Sequence, residues 1–130
     1  MAETFEDIKI KSLDDAASGP SGQGALLRIV LKLSPTPPSP WGIYFNEAWN
    51  HNIYSMKRRA SVIGDKIEIV CMPGELETDH LPELKKVIAE SNQAYREQLA
   101  EKVRLRAMEE GRNKARQDEL AKLKGRLNFD

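Results

Sequence analysis

Apolar and polar positions alternate or recur along this chain in a way that names most of its elements. Ile8, Lys9, Ile10 and Lys11 alternate with period two, the signature of a half-buried strand. Residues 14–24 then run Asp, Asp, Ala, Ala, Ser, Gly, Pro, Ser, Gly, Gln, Gly. Nothing there can fill a core, so the stretch reads as a mobile surface loop. From Ala25 to Leu33 alternation returns, with Leu27, Ile29, Leu31 and Leu33 on one face and Arg28 and Lys32 on the other. That pattern predicts a strand with one solvated side.

Residues 34–40 hold four of the seven prolines. Their fixed φ and missing N–H groups exclude helix and sheet interior, leaving an extended connector. Pro40 suits the first position of a helix with Ser39 as its cap. Trp41, Tyr44, Phe45, Ala48 and Trp49 follow at helical spacing and build one apolar stripe. Asn50, His51 and Asn52 are poor helix formers and end it.

Residues 59–63 and 66–72 form a predicted hairpin around Gly64-Asp65, with glycine first as a type II′ turn requires. Ile67, Ile69 and Cys71 share its buried face, and Pro73-Gly74 closes it. Thr78 or Asp79 then caps a last helix whose first turn holds Pro82 and Glu83. The order is ββαββα. The expected class is α+β: about four antiparallel strands, helices on one face, and a long charged C-terminal helix.

That last helix is too long for its domain. Leu81, Leu84, Val87, Ile88, Ala94 and Tyr95 give a packing stripe, but beyond Leu99 the apolar face thins to Val103 and Met108. An unbroken helix from Asp79 to Lys124 would be roughly 70 Å long, against a radius of gyration near ~13 Å for a domain of this size. The expected division is therefore a domain over 1–98 and a charged helical extension over 99–130, frayed or broken at Gly111. Leu120, Leu123, Leu127 and Phe129 form a short apolar seam at the terminus. Gly111, Asn113 and Arg116 interrupt a heptad register, which argues against a long coiled coil and leaves two readings, a partly disordered charge-rich tail or a short docking helix.

Composition changes this picture only at the margins. Charged residues are 31% and the formal net charge is zero. The balance is uneven: ten basic and thirteen acidic residues through Tyr95, ten basic and seven acidic from Arg96 onward. The single cysteine excludes an internal disulfide and fits a reducing compartment. Residues 1–7 lack a basic, then apolar, leader, and no apolar run approaches the ~18 residues of a bilayer span. The expected location is the cytoplasm, with no membrane association.

Candidate chemistry is sparse. Five of the aromatics, Trp41, Tyr44, Phe45, Trp49 and Tyr54, lie within fourteen residues. Helical spacing favours core packing over a ligand pocket. Lys57, Arg58 and Arg59 are three adjacent cations. They read as a phosphate-binding surface or as a solvated strand edge. Glu47 with His51, and Asp79 with His80, lack the further ligands a metal centre needs. Residues 19–24 lack the Lys-Ser/Thr of a phosphate loop and lead into a strand. Pro35 and Pro38 make a P-x-x-P that serves as rigid spacing. Cys71 shares the predicted core face of Ile67 and Ile69, where an inert thiol is expected.

No catalytic, cofactor or metal site is expected. The leading expectation is a non-enzymatic interaction or adaptor module. It would use Leu120, Leu123, Leu127 and Phe129 for self-association or partner docking. One alternative is a nucleic-acid accessory protein using Lys57, Arg58 and Arg59. The other is a small ligand binder or enzyme with a pocket near the aromatic helix.

Overall fold

A computed structural model describes residues 5–128. It divides them into two units, 5–96 and 97–128. The first unit contains strands β1 (Lys9–Leu13), β2 (Gly19–Pro20), β3 (Leu27–Ser34), β4 (Ala60–Ile63) and β5 (Lys66–Cys71). Helix α1 (Ser39–His51) lies between β3 and β4. A single turn α2 (Pro73–Glu75) and a π-helical turn (Leu76–His80) lead into α3 (Leu81–Arg126), whose residues 81–96 belong to this unit.

The sheet is antiparallel, in the order β1-β3-β5-β4, with β2 paired to β3 off that path. The class is α+β, as the pattern implies. Ile29, Leu31 and Leu33 of β3 and Ile67, Ile69 and Cys71 of β5 are buried on one face. They form one core with Trp41, Phe45 and Trp49 of α1 and with Leu84, Val87 and Ile88 of α3. Both helices therefore cover the same side of the sheet. The hairpin joins β4 and β5 with Ile63 opposite Lys66. Gly64 takes φ +61° in its turn while Asp65 does not enter the left-handed region, which fits the type II′ geometry.

Three local expectations are corrected. Residues 14–24 do not run free: Gly19–Pro20 pairs with Arg28 and Leu27 of β3. Asp14 N–H donates to the Val30 carbonyl (2.8 Å) and Ser18 Oγ accepts from Val30 N–H (2.9 Å). The segment is tied to β3 by its own small polar groups, and Val30, on the face opposite the core, is buried. Helix α1 begins one residue early, with Pro38 in the cap position and no side-chain cap. Trp41 N–H reaches back to the Pro38 carbonyl (3.0 Å), drawing Ser39 into the first turn.

The third correction concerns the last helix. Neither Thr78 nor Asp79 caps it, because the chain is already helical from Pro73. Pro82 resembles a first-turn proline yet sits inside continuous helix. The π turn before it explains how: Leu81 N–H donates to the Leu76 carbonyl, five residues back. That wider turn makes room for a ring that would clash in a regular helix, where its missing N–H would also cost a bond.

In the second unit, α3 stays helical through Gly111 to Arg126. Leu127 N–H still donates to the Leu123 carbonyl (3.1 Å). Every described residue from Ala100 onward is exposed.

Candidate functional site

Three aromatics of the α1 stripe are core, while Tyr44 is half-buried beside a surface groove with Glu47, His51 and Glu90. Trp41, Phe45 and Trp49 are at most 1% exposed. Their rings stack in series at centroid distances of 5.7 and 6.1 Å. Neither tryptophan offers a face to a ligand. Trp41 Nε1–H donates to Asn92 Oδ1 (2.9 Å) and Trp49 Nε1–H to the Arg58 carbonyl (3.1 Å), so both polar handles are satisfied inside.

The basic triplet is split by the fold. Lys57 Nζ donates to the Trp49 and Asn50 carbonyls at the end of α1, and its ammonium lies 5.7 Å from the Trp49 ring centre. A cation there suits the negative end of the helix. Arg58 grips Glu75 with two parallel bonds of 3.1 Å. Only Arg59 is exposed. A three-cation phosphate surface would have to give up these internal bonds first.

Arg58 belongs instead to a polar chain that sequence reasoning missed. Glu75 Oε2 also accepts from His80 Nε2 (3.1 Å), and Tyr54 OH lies 2.7 Å from His80 Nδ1. The carboxylate can only accept, so His80 Nε2 supplies the hydrogen of that bond, and Nδ1 meets the tyrosine hydroxyl on the other side of the ring. Arg58, then His80, hold the Glu75 carboxyl down at about 2. Burial pushes the Tyr54 hydroxyl up to about 12. His80 is completely buried. The chain Tyr54–His80–Glu75–Arg58 joins the loop after α1 to the π turn before α3. Its groups hold one another in place.

Cys71 is buried, and burial raises its thiol pKa. His51 Nδ1 lies 2.8 Å from the Glu47 carbonyl within its own helix. Among the described residues no three His, Cys, Asp or Glu side chains gather as a metal site.

The C-terminal helix presents the remaining candidates. Leu120, Leu123 and Leu127 are 57%, 41% and 48% exposed. Their i, i+3, i+7 spacing puts them on one helical stripe. Phe129 lies outside the described residues. Residues 97–110 carry four acids and three bases, while 111–128 carry two acids and six bases. The leucine seam is therefore embedded in the basic part of the helix. Upstream, Val103, Leu105 and Met108 are also exposed. No helix of the described residues is long and apolar enough to cross a membrane.

The second residue missed from sequence is Asn92. It lies on the apolar stripe of α3, four residues after Ile88, and is 6% exposed. Its amide accepts from Ile8 N–H and Trp41 Nε1–H and donates to the Ile8 carbonyl. A polar residue on an otherwise apolar face was the signal that could have found it. No family model, curated protein or solved structure matches this chain.

Proposed function

We propose that the protein is a non-enzymatic interaction module. The α+β unit supplies a stable fold, and the C-terminal helix docks through Leu120, Leu123 and Leu127 against a helix of a second copy or of another chain. The observation that carries this reading is the exposure of three leucines on one stripe of a continuous helix. Completing the burial of each half-exposed leucine stabilises a complex by about 1 kcal/mol. The six cations around the seam then select for an acidic surface opposite it.

The seam is short. Asn113 and Arg116 occupy the preceding heptad positions, so a long parallel coiled coil with a second copy would also set like charges against each other. A compact contact of two or three turns fits better. Replacing Leu120 and Leu123 by Asp tests this. The variant should keep the melting temperature of the α+β unit and lose concentration-dependent association in light scattering, or lose a partner retained by the wild-type helix. Identical association and retention by both proteins would contradict the proposal.

The same positive charge supports a second reading, a nucleic-acid accessory protein using the cations of residues 111–128. Such binding should weaken steeply from low to moderate salt. A flat salt response would rule against it.

A further inference from the structure

One edge of the sheet is left open beside an apolar groove. At Ile8, just before β1, the N–H donates to Asn92 Oδ1 (3.0 Å) and the carbonyl accepts from Asn92 Nδ2 (3.1 Å). The Asn92 carboxamide thus pairs with Ile8 as a neighbouring strand's peptide group would. In extended chain the N–H and C=O of residues two apart face the same side. Ile10 therefore turns its own N–H and C=O to this outer edge.

The opposite strand agrees. Leu33 stands across from Ile10 but gives its N–H to the Asp65 carbonyl (2.7 Å), away from β1. Ile10 and Leu33 are accordingly a non-hydrogen-bonded pair. At the other edge of the sheet Val62 N–H is capped by Asn46 Oδ1 (2.9 Å). No side chain of the described residues caps Ile10 in this way.

The space outside Ile10 is a groove of about 390 Å³, floored by Ile8, Ile10, Ile88 and Ala89. Lys9 and Lys85 stand on its rim without an ion-pair partner among the described residues. Asp7, also on the rim, is paired with Arg96. The site is apolar at its floor, cationic at its rim and open along a strand edge.

We infer that this groove receives an extended acidic segment of another protein, which adds to the sheet as a strand beside β1. Its backbone pairs with Ile10, a β-branched side chain enters against Ile88 and Ala89, and flanking carboxylates meet Lys9 and Lys85. Strand addition of this kind takes affinity from main-chain bonds and specificity from alternate side chains. The site is separate from the leucine seam and does not depend on it.

The full chain is titrated with ten-residue peptides in which Val alternates with Glu, Lys or Ser. The Glu peptide with N-methyl groups on alternate residues serves as backbone control. The Glu peptide should bind about tenfold or more tighter than the Lys peptide. N-methylation should abolish binding, and the Ile10 amide should become protected from hydrogen exchange at saturation. Lys85 is exposed, so Lys85→Glu should fold normally and shift preference toward the Lys peptide. Equal binding of the N-methylated peptide, an unchanged ranking in Lys85→Glu, or protection confined to residues after Arg96 would each overturn the inference. So would an Ile10 amide protected in proportion to protein concentration without peptide, which would assign the edge to a second copy.

Discussion

Asn92 shows how one side chain can specify a junction. It satisfies both backbone groups of Ile8 and the indole of Trp41. Removing it strands two buried donors and an acceptor. Leaving such groups unpaired costs more than the bonds themselves contribute. Asn92→Ala should destabilise the α+β unit by about 3 kcal/mol, read from denaturant midpoints. Glu75 sets a pH dependence at the same scale. Its folded pKa of about 2 lies below the ordinary value of 4.5. The stability it contributes is complete above pH 4.5 and is lost as pH falls toward 2. Glu75→Gln should lower the denaturant midpoint at pH 7 and lose much of the wild-type decline over that window. A parallel acid decline in both proteins would exclude Glu75 as its source.

At the scale of elements, local patterns decided what was legible. The alternation of β3, the helical stripe of α1 and the Gly64 turn all depend on neighbours in sequence, and each formed where its pattern placed it. The start of the last helix did not. Pro82 and Glu83 resemble a first turn, and only a π turn at Leu76–His80 lets the helix begin at Pro73 and pass through Pro82. β2 was hidden for another reason: a two-residue pairing has no period to detect, and Gly19-Pro20 reads as a breaker. Gly111 is the remaining weak point of α3. A Cβ there would meet nothing within 4 Å. Gly111→Ala should therefore stabilise the surrounding helix by about 1 kcal/mol. Amide exchange near residue 111 should slow about fivefold, with the α+β unit unchanged.

For the whole molecule, the candidate surfaces divide by the same rule. The leucine seam was legible because i, i+3, i+7 spacing is local. The open edge at Ile10 was not, because it depends on which strand lies beside β1 and on where Leu33 and Asn92 direct their bonds. Lys57 and Arg58 show the converse: an obvious sequence feature absorbed by long-range contacts with Trp49 and Glu75. What distinguishes this chain is the continuation of α3 past its own core residues into a stretch with exposed leucines and six cations. The proposed docking function rests on that continuation. Photo-crosslinking tests it most directly: a benzophenone amino acid replaces Leu123 in the full chain, with Lys114 as a second labelling position. A discrete adduct is expected from position 123, to a second copy or to one other protein, that disappears when Leu120 and Leu127 are both changed to Asp. A diffuse pattern, or the same adduct from Lys114 and from the double-Asp chain, would contradict it.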